Sequence, residues 1–437
     1  MSRQRSRGQA LQAAKEQEID FLKQAIAAMP SGNLIPIIGD TIRNERIFDP
    51  DNDKKMGIGA KIKEHLEAEN VRINFDRLNI TEELACFWVK KINEEAEQAA
   101  AEAKQAAADA KQGNLKAVKE MEARAREVEQ RAKEAEQLRY PLADSYNLAR
   151  VAQFLSLIKG GKNTKEDYLT YLKNILLDEM YEAAEANNDR EEMAYITHLG
   201  YEIDEMENSI SFSEIVTELD LPRNDDPVRM LAQLNLSLYI TTSYYDFIER
   251  EIEASGRKPR SRLCHWSNFT VKKEHQEDDE EPTQDSPVVY HLFGMEQYPE
   301  SMVLSEDDHL DLLWELAWNA KSAKKNGESI IPNYIGEKLN SSSHPLLLLG
   351  YRLHDWDLRV VLRGLLRERI KEKYIDSKSS IALQIDIEKQ PLVRNVAQAT
   401  AYLKEYYDQA CLDVEFGDAT EFVKNLTSSY YKRYRNG

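Results

Sequence analysis

Six short apolar runs rich in branched residues punctuate the chain: Leu34 to Ile38, Leu236 to Thr241, Val288 to Leu292, Leu346 to Leu349, Ile381 to Ile385 and Leu412 to Phe416. Short apolar runs bounded by turn residues predict strands buried on both faces, as parallel strands are. Each is followed by enough chain for at least one helix. The pattern therefore predicts right-handed crossovers and an α/β fold with a doubly wound, mainly parallel, Rossmann-like sheet. The first gap is abnormal. Between Ile38 and Leu236 the chain reads almost wholly as helix, which predicts a large helical insertion after the first strand. The expected domains are an N-terminal helix and first strand over 1–50, the insertion over 56–225, and the rest of the sheet domain over 230–437.

Within the insertion, Ala96, Ala100, Ala103, Ala107 and Ala110 recur at alternating four- and three-residue steps until Gly113-Asn114. Val118, Met121, Ala125, Val128, Ala132 and Ala135 then resume the stripe. Two such stripes joined by a glycine turn predict an antiparallel coiled-coil hairpin over about 94–137, with a seam small enough for close backbone approach. At 1.5 Å per residue the arm would project roughly 30 Å. A solvated spacer and an arm for a partner protein or a second copy both fit; neither carries catalysis.

The net charge is −19 and the isoelectric point about 5.1, which argues against nucleic acid and anionic membrane, since phosphate binding is driven by lysine and arginine. Cys86, Cys264 and Cys411 lie far apart with no CxxC pair, so no zinc module or disulfide framework is written here and the cytoplasm is the expected compartment. The N-terminus is polar and lacks a signal-like apolar segment, and no run approaches the ~20 apolar residues of a membrane helix. Glu274 to Asp285, with His275 and six acidic residues before Pro282, matches no calcium loop and reads as a solvated acidic loop.

Chemistry in such sheets sits at the carboxyl ends of the strands. The first strand ends in Gly39-Asp40-Thr41, where glycine permits a tight turn, threonine offers a hydroxyl and free amides can hold a pyrophosphate. The second ends in Thr241-Thr242-Ser243-Tyr244-Tyr245-Asp246. The third carries His291 before Phe293-Gly294, and Pro299 to His309 follow. The leucine strand runs into Gly350-Tyr351-Arg352-Leu353-His354-Asp355-Trp356-Asp357.

Taken together, these segments resemble the zinc-less sirtuin-like domains of bacterial antiphage defence proteins, whose motifs read ITTNYD, an HG strand with a PxSLVLTxxDY continuation, and LLFLGYSLxDWDxR. Ile240 to Asp246, His291 to His309 and Leu346 to Arg359 are the counterparts, and Gly39-Asp40-Thr41 is a weak version of the family's GAGxS loop. Ala401 to Tyr407 and Val414 to Asp418 resemble the family's closing segment. The resemblance implies an NAD-binding domain with Gly39, Asp40, Thr41, Thr242, Gly350, Tyr351 and Asp355 toward NAD, no zinc, and cleavage of NAD into nicotinamide and ADP-ribose.

The family's asparagine after the TT pair is Ser243 here, and its histidine beside the HG glycine is Phe293, with His291 two residues upstream. On a strand, alternate residues share a face, so the imidazole is expected about 7 Å from the usual place. The candidates for chemistry are then Ser243, His291 and Asp246, with His354 or Asp355 as substitutes. Two functions remain open: an NAD hydrolase acting as a defence effector, and a silent assembly or sensor subunit that binds an NAD-related ligand and recruits partners through its helical arm.

Overall fold

A computed structural model gives the fold. It describes residues 21–39, 42, 147–158, 164–186, 211–218, 226–270, 280–326, 330–353, 356–372, 380–388, 390, 393–409 and 412–434, with isolated positions at 126, 190, 193, 194, 196–198 and 200. Apart from position 126, the expected coiled-coil arm lies outside the described residues, as do Asp40, Thr41, His354, Asp355 and residues 274–279 of the acidic stretch.

The chain divides into two compact units. One holds residues 1–73, 176–303 and 307–437 and contains the whole sheet; the other holds 74–175 and 304–306. In the smaller unit the described elements are α1 (Leu148–Ile158) and the first half of α2 (Thr164–Ala186).

The larger unit is built on seven strands: β1 (Ile35–Ile38), β2 (Leu238–Thr241), β3 (Arg260–Leu263), β4 (Val288–His291), β5 (Leu346–Leu349), β6 (Ile381–Ile385) and β7 (Asp413–Phe416). They form one sheet in the order β3-β4-β2-β1-β5-β6-β7, and every described pairing is parallel, so the sheet is a Rossmann-like α/β one. Sequence pattern missed β3. Its residues Arg260-Ser261-Arg262-Leu263 form an edge strand that is only half buried at its start, so no apolar run marks it. The helices between are α3 (Phe212–Glu218), α4 (Pro227–Ala232), α5 (Phe247–Ala254), α6 (Glu306–Asn326), α7 (Asn333–Asn340), α8 (Trp356–Val360), α9 (Arg367–Glu372), α10 (Val396–Asp408) and α11 (Ala419–Tyr434).

β1, β2, β4, β5 and β6 are buried along their whole length, which is what parallel strands covered on both faces require. Pro36 breaks the usual rule against proline in a central strand. The pairing shows how it is tolerated: β1 matches β5 over all four residues, but matches β2 only from Ile37 onward. Ile35 N and Gly39 N both donate toward β5, so the missing donor of Pro36 falls on the β2 side, where the ladder has not begun.

The sheet grows outward from β1 in both directions, to β2 on one side and β5 on the other. That reversal of strand order makes the β1/β5 boundary a topological switch point. Here the two strand ends nearly touch. A Cβ on Gly39 would collide with the Gly350 carbonyl oxygen, and a Cβ on Gly350 would lie 2.7 Å from Ile42 Cβ and 2.8 Å from Ile42 N. Gly350 also sits at φ +72°, in the left-handed region.

Gly350→Ala should therefore suffer both strain and collision. Left-handed backbone costs roughly 1–2 kcal/mol for a residue with a Cβ, and overpacking adds about 1–3 kcal/mol. Gly256, at φ +84° with nothing within 4 Å of a built Cβ, supplies the control that carries the strain alone. Urea unfolding should show Gly350→Ala the more damaging by at least about 1 kcal/mol; equal losses would mean that the loop after β5 yields freely.

Candidate functional site

The ends of β1, β2 and β5 are tied together by backbone. Gly39 N donates to Leu349 O at 2.7 Å, and Thr242 N donates to Ile38 O at 2.9 Å. Two adjacent threonines then diverge in role. The Thr241 hydroxyl is satisfied, donating to Ile38 O at 3.1 Å and accepting from Ser243 N at 2.9 Å. The Thr242 hydroxyl is buried without a hydrogen-bond partner, and so is the phenol of Tyr351, the residue that follows Gly350.

These two hydroxyls lie side by side. Burial holds the Tyr351 phenol far above its usual range; Thr242 draws it back a little, and the Asp357 carboxylate raises it further. Apart from this contact with each other, neither hydroxyl has a hydrogen-bond partner. Leaving a buried hydroxyl unpaired costs about 1–3 kcal/mol, so two together in a native core need a reason.

Ser243 is half buried and its groups are engaged locally: its hydroxyl accepts from Tyr245 N at 3.4 Å, and its carbonyl faces His291 Nδ1 at 3.2 Å. His291 is fully buried, with Nε2 2.7 Å from Glu249 Oε1 on α5. Ser261 on β3 donates its hydroxyl to the same carboxylate oxygen at 2.7 Å. A carbonyl can only accept, so Nδ1 carries a proton; the opposite nitrogen shares its proton with a carboxylate. That is the arrangement of an imidazolium ion held in a closed pair. Burial opposes the charge, but Glu249 outweighs it, with the Ser243 carbonyl assisting, and the His291 pKa is raised. The ring thus braces the segment after β2.

Asp246 lies 2.6 Å from Arg250 Nε, a helical i,i+4 pair, and its backbone amide donates to Ser213 Oγ at 3.4 Å. Beside it stands Glu296, which pattern reading did not single out. Its carboxylate accepts from Phe212 N at 2.7 Å, from Ser213 N at 3.2 Å and from the Ser213 hydroxyl, so it caps α3 from a distant part of the chain. Burial pushes the Glu296 carboxyl up more than these donors pull it down. No local spacing reveals such a cap.

Phe293 lies beyond the strand whose alternation was expected to set its place. β4 ends at His291, and Leu292-Phe293 belong to a turn closed by Gly294 at φ +84°. Phe293 packs edge-on against His309 of α6, with centroids 5.2 Å apart at 89°. His309 in turn places Nε2 3.4 Å from Asp357 Oδ1 of α8, an ion-pair distance and not a formed hydrogen bond. Thus Gly39, Thr242, Gly350 and Tyr351 gather at the switch point, Ser243 and His291 are joined to each other, and Asp246 belongs with Arg250. Asp40, Thr41 and Asp355 lie outside the described residues. Among the described residues, no group of three or more histidine, cysteine, aspartate or glutamate side chains is placed to hold a metal ion, and no helix is long and apolar enough to cross a membrane.

Residues 237–399 match the family model of the SIR2-like domain. A sirtuin-like domain is supported over that stretch. It spans β2 through β6 and includes Thr242, Ser243, His291, Gly350 and Tyr351, while β1 and Gly39 fall before it. No curated protein matches the chain.

The His291 pair of the sirtuin-like domain makes stability depend on pH. Its folded pKa lies above the ordinary 6.5, so the contribution is fully present below about pH 6.5 and is lost as pH rises through the higher folded value. His291→Gln leaves Glu249 buried without its cation, which costs about 3 kcal/mol in acid-side buffers. Denaturant unfolding of both proteins across pH 5.5 to 9, a range spanning roughly the histidine region and beyond, should show the gap narrowing upward. A gap that widens with pH would refute a protonated His291.

Proposed function

We propose that the chain binds NAD at the carboxyl ends of β1, β2 and β5 and hydrolyses it to nicotinamide and ADP-ribose, as an effector in bacterial antiphage defence. The observation that carries the reading is the pair of buried, unpartnered hydroxyls of Thr242 and Tyr351 at the switch point. Ribose hydroxyls and phosphate oxygens are the groups that would complete them. The SIR2-like match supplies the NAD connection. Gly39 and Gly350 need to be glycines because of each other and Ile42, and their approach sets the Tyr351 ring beside Gly39, whose built Cβ would lie 3.1 Å from Tyr351 Cδ1.

One observation favours the second reading, a silent subunit that binds an NAD-related ligand and recruits partners through the helical arm. Phe293 stands where the resemblance calls for histidine, and His291 is fully engaged with Glu249. Incubating purified protein with NAD and following nicotinamide separates the two: release supports the hydrolase, and tight binding without release supports the subunit.

Removing the two hydroxyls tests the site directly. Thr242→Val and Tyr351→Phe delete groups whose burial costs about 1–3 kcal/mol when unpaired, so the ligand-free variants should unfold at or above the wild-type temperature. NAD affinity, measured by calorimetry, should fall about tenfold, equivalent to ~1.4 kcal/mol. Destabilised variants with unchanged NAD affinity would show that the hydroxyls serve packing alone.

A further inference from the structure

A second imidazole meets a carboxylate at the same end of the sheet, apart from the His291 pair. His309 is almost wholly buried at 3% exposure, and Asp357 is 23% exposed, so the pair has one closed and one open side. Phe293 sets the His309 ring from one direction and Trp356 from another, the latter at 6.3 Å between centroids. The helices that carry the pair are locked. Gly364, in the π turn Val361–Leu365 that continues α8, comes so close to α6 that a Cβ there would lie 2.7 Å from Leu316 Cδ1. Leu316 stands two turns beyond His309 on the same helical face, and π turns inside helices are frequent at functional sites.

Packing alone would be served by an aromatic hydrocarbon at position 309. An imidazole facing a carboxylate adds something else: the carboxylate orients the ring and stabilises it when it takes a proton. Asp357 stands in the first turn of α8, six residues after Tyr351 at the end of β5, so the pair lies on the segment that leaves the switch point.

We propose that His309 and Asp357 form the acid–base pair of this site, accepting the proton of the water that attacks the nicotinamide ribose; this rests on the NAD reading above. The bond between ribose C1′ and the nicotinamide ring nitrogen breaks, and its electron pair stays on that nitrogen, giving neutral nicotinamide. The water oxygen bonds to C1′. One water proton passes to the His309 imidazole, whose positive charge Asp357 offsets, and then to solvent. NAD and water become nicotinamide, ADP-ribose and a proton, with no change of oxidation state.

The test compares wild type, His309→Gln and Asp357→Asn for thermal unfolding, NAD binding by calorimetry and nicotinamide release. The expected result is a split: binding within a few-fold of wild type, with release down about 10²-fold or more in His309→Gln and about 10-fold in Asp357→Asn. A folded His309→Gln that releases nicotinamide at the wild-type rate overturns the proposal and leaves the NAD reading standing. So does one that loses binding and release together, because His309 would then hold ligand and move no proton. If wild type binds NAD but releases none, the pair has no such role; if it binds no NAD, the site reading falls as well. Should His309→Gln fail to fold, Asp357→Asn decides by the same criteria.

Discussion

β1 is the first strand in sequence and the central one in space, and its end is closed by the backbone of β5. Gly39 N donates to Leu349 O, and neither Gly39 nor Gly350 has room for a Cβ. This contact joins parts of the chain separated by the whole insertion. It is a long-range constraint, so it demands exact sterics where local sequence could tolerate many residues. From it follow the left-handed turn at Gly350, the inward placement of Tyr351 and the meeting of that phenol with Thr242. Glycine here serves the protein's own packing first; whatever room a ligand receives comes after.

The polar groups at this end divide into two economies. Glu249 Oε1, His291, Ser261 and the Ser243 carbonyl bond one another inside the protein and hold the turn after β2 in place. Glu296 does the same for α3 and the segment through Asp246. Thr242 and Tyr351 stand at the switch point itself, where their buried hydroxyls find no partner beyond each other, as Glu249 Oε2 finds none in its own network. Satisfied networks are what a rigid scaffold needs, and groups left waiting are what a binding site needs. The contrast lies within a few residues, between Thr241 and Thr242.

Most of the sheet was legible because central parallel strands must be apolar on both faces, and six runs announce it. β3 was not, because an edge strand can keep Arg260, Ser261 and Arg262 and still pair with β4. The glycine and threonine ends of β1, β2 and β5 were legible as well, since strand ends in such sheets have a known use. The place of Phe293 was not legible, because β4 ends at His291 and alternation cannot be carried into the turn that follows. Glu249, Glu296 and the meeting of His309 with Asp357 depend on contacts between distant segments, which spacing cannot express.

The central claim is that NAD occupies the switch point between β1 and β5. A crystal structure of the protein with an NAD analogue whose ribose–nicotinamide bond cannot be hydrolysed tests it most directly. The account predicts the dinucleotide at the ends of β1, β2 and β5, with the Thr242 and Tyr351 hydroxyls bonded to it. An analogue bound elsewhere on the molecule, with those two hydroxyls still unpartnered, would contradict it.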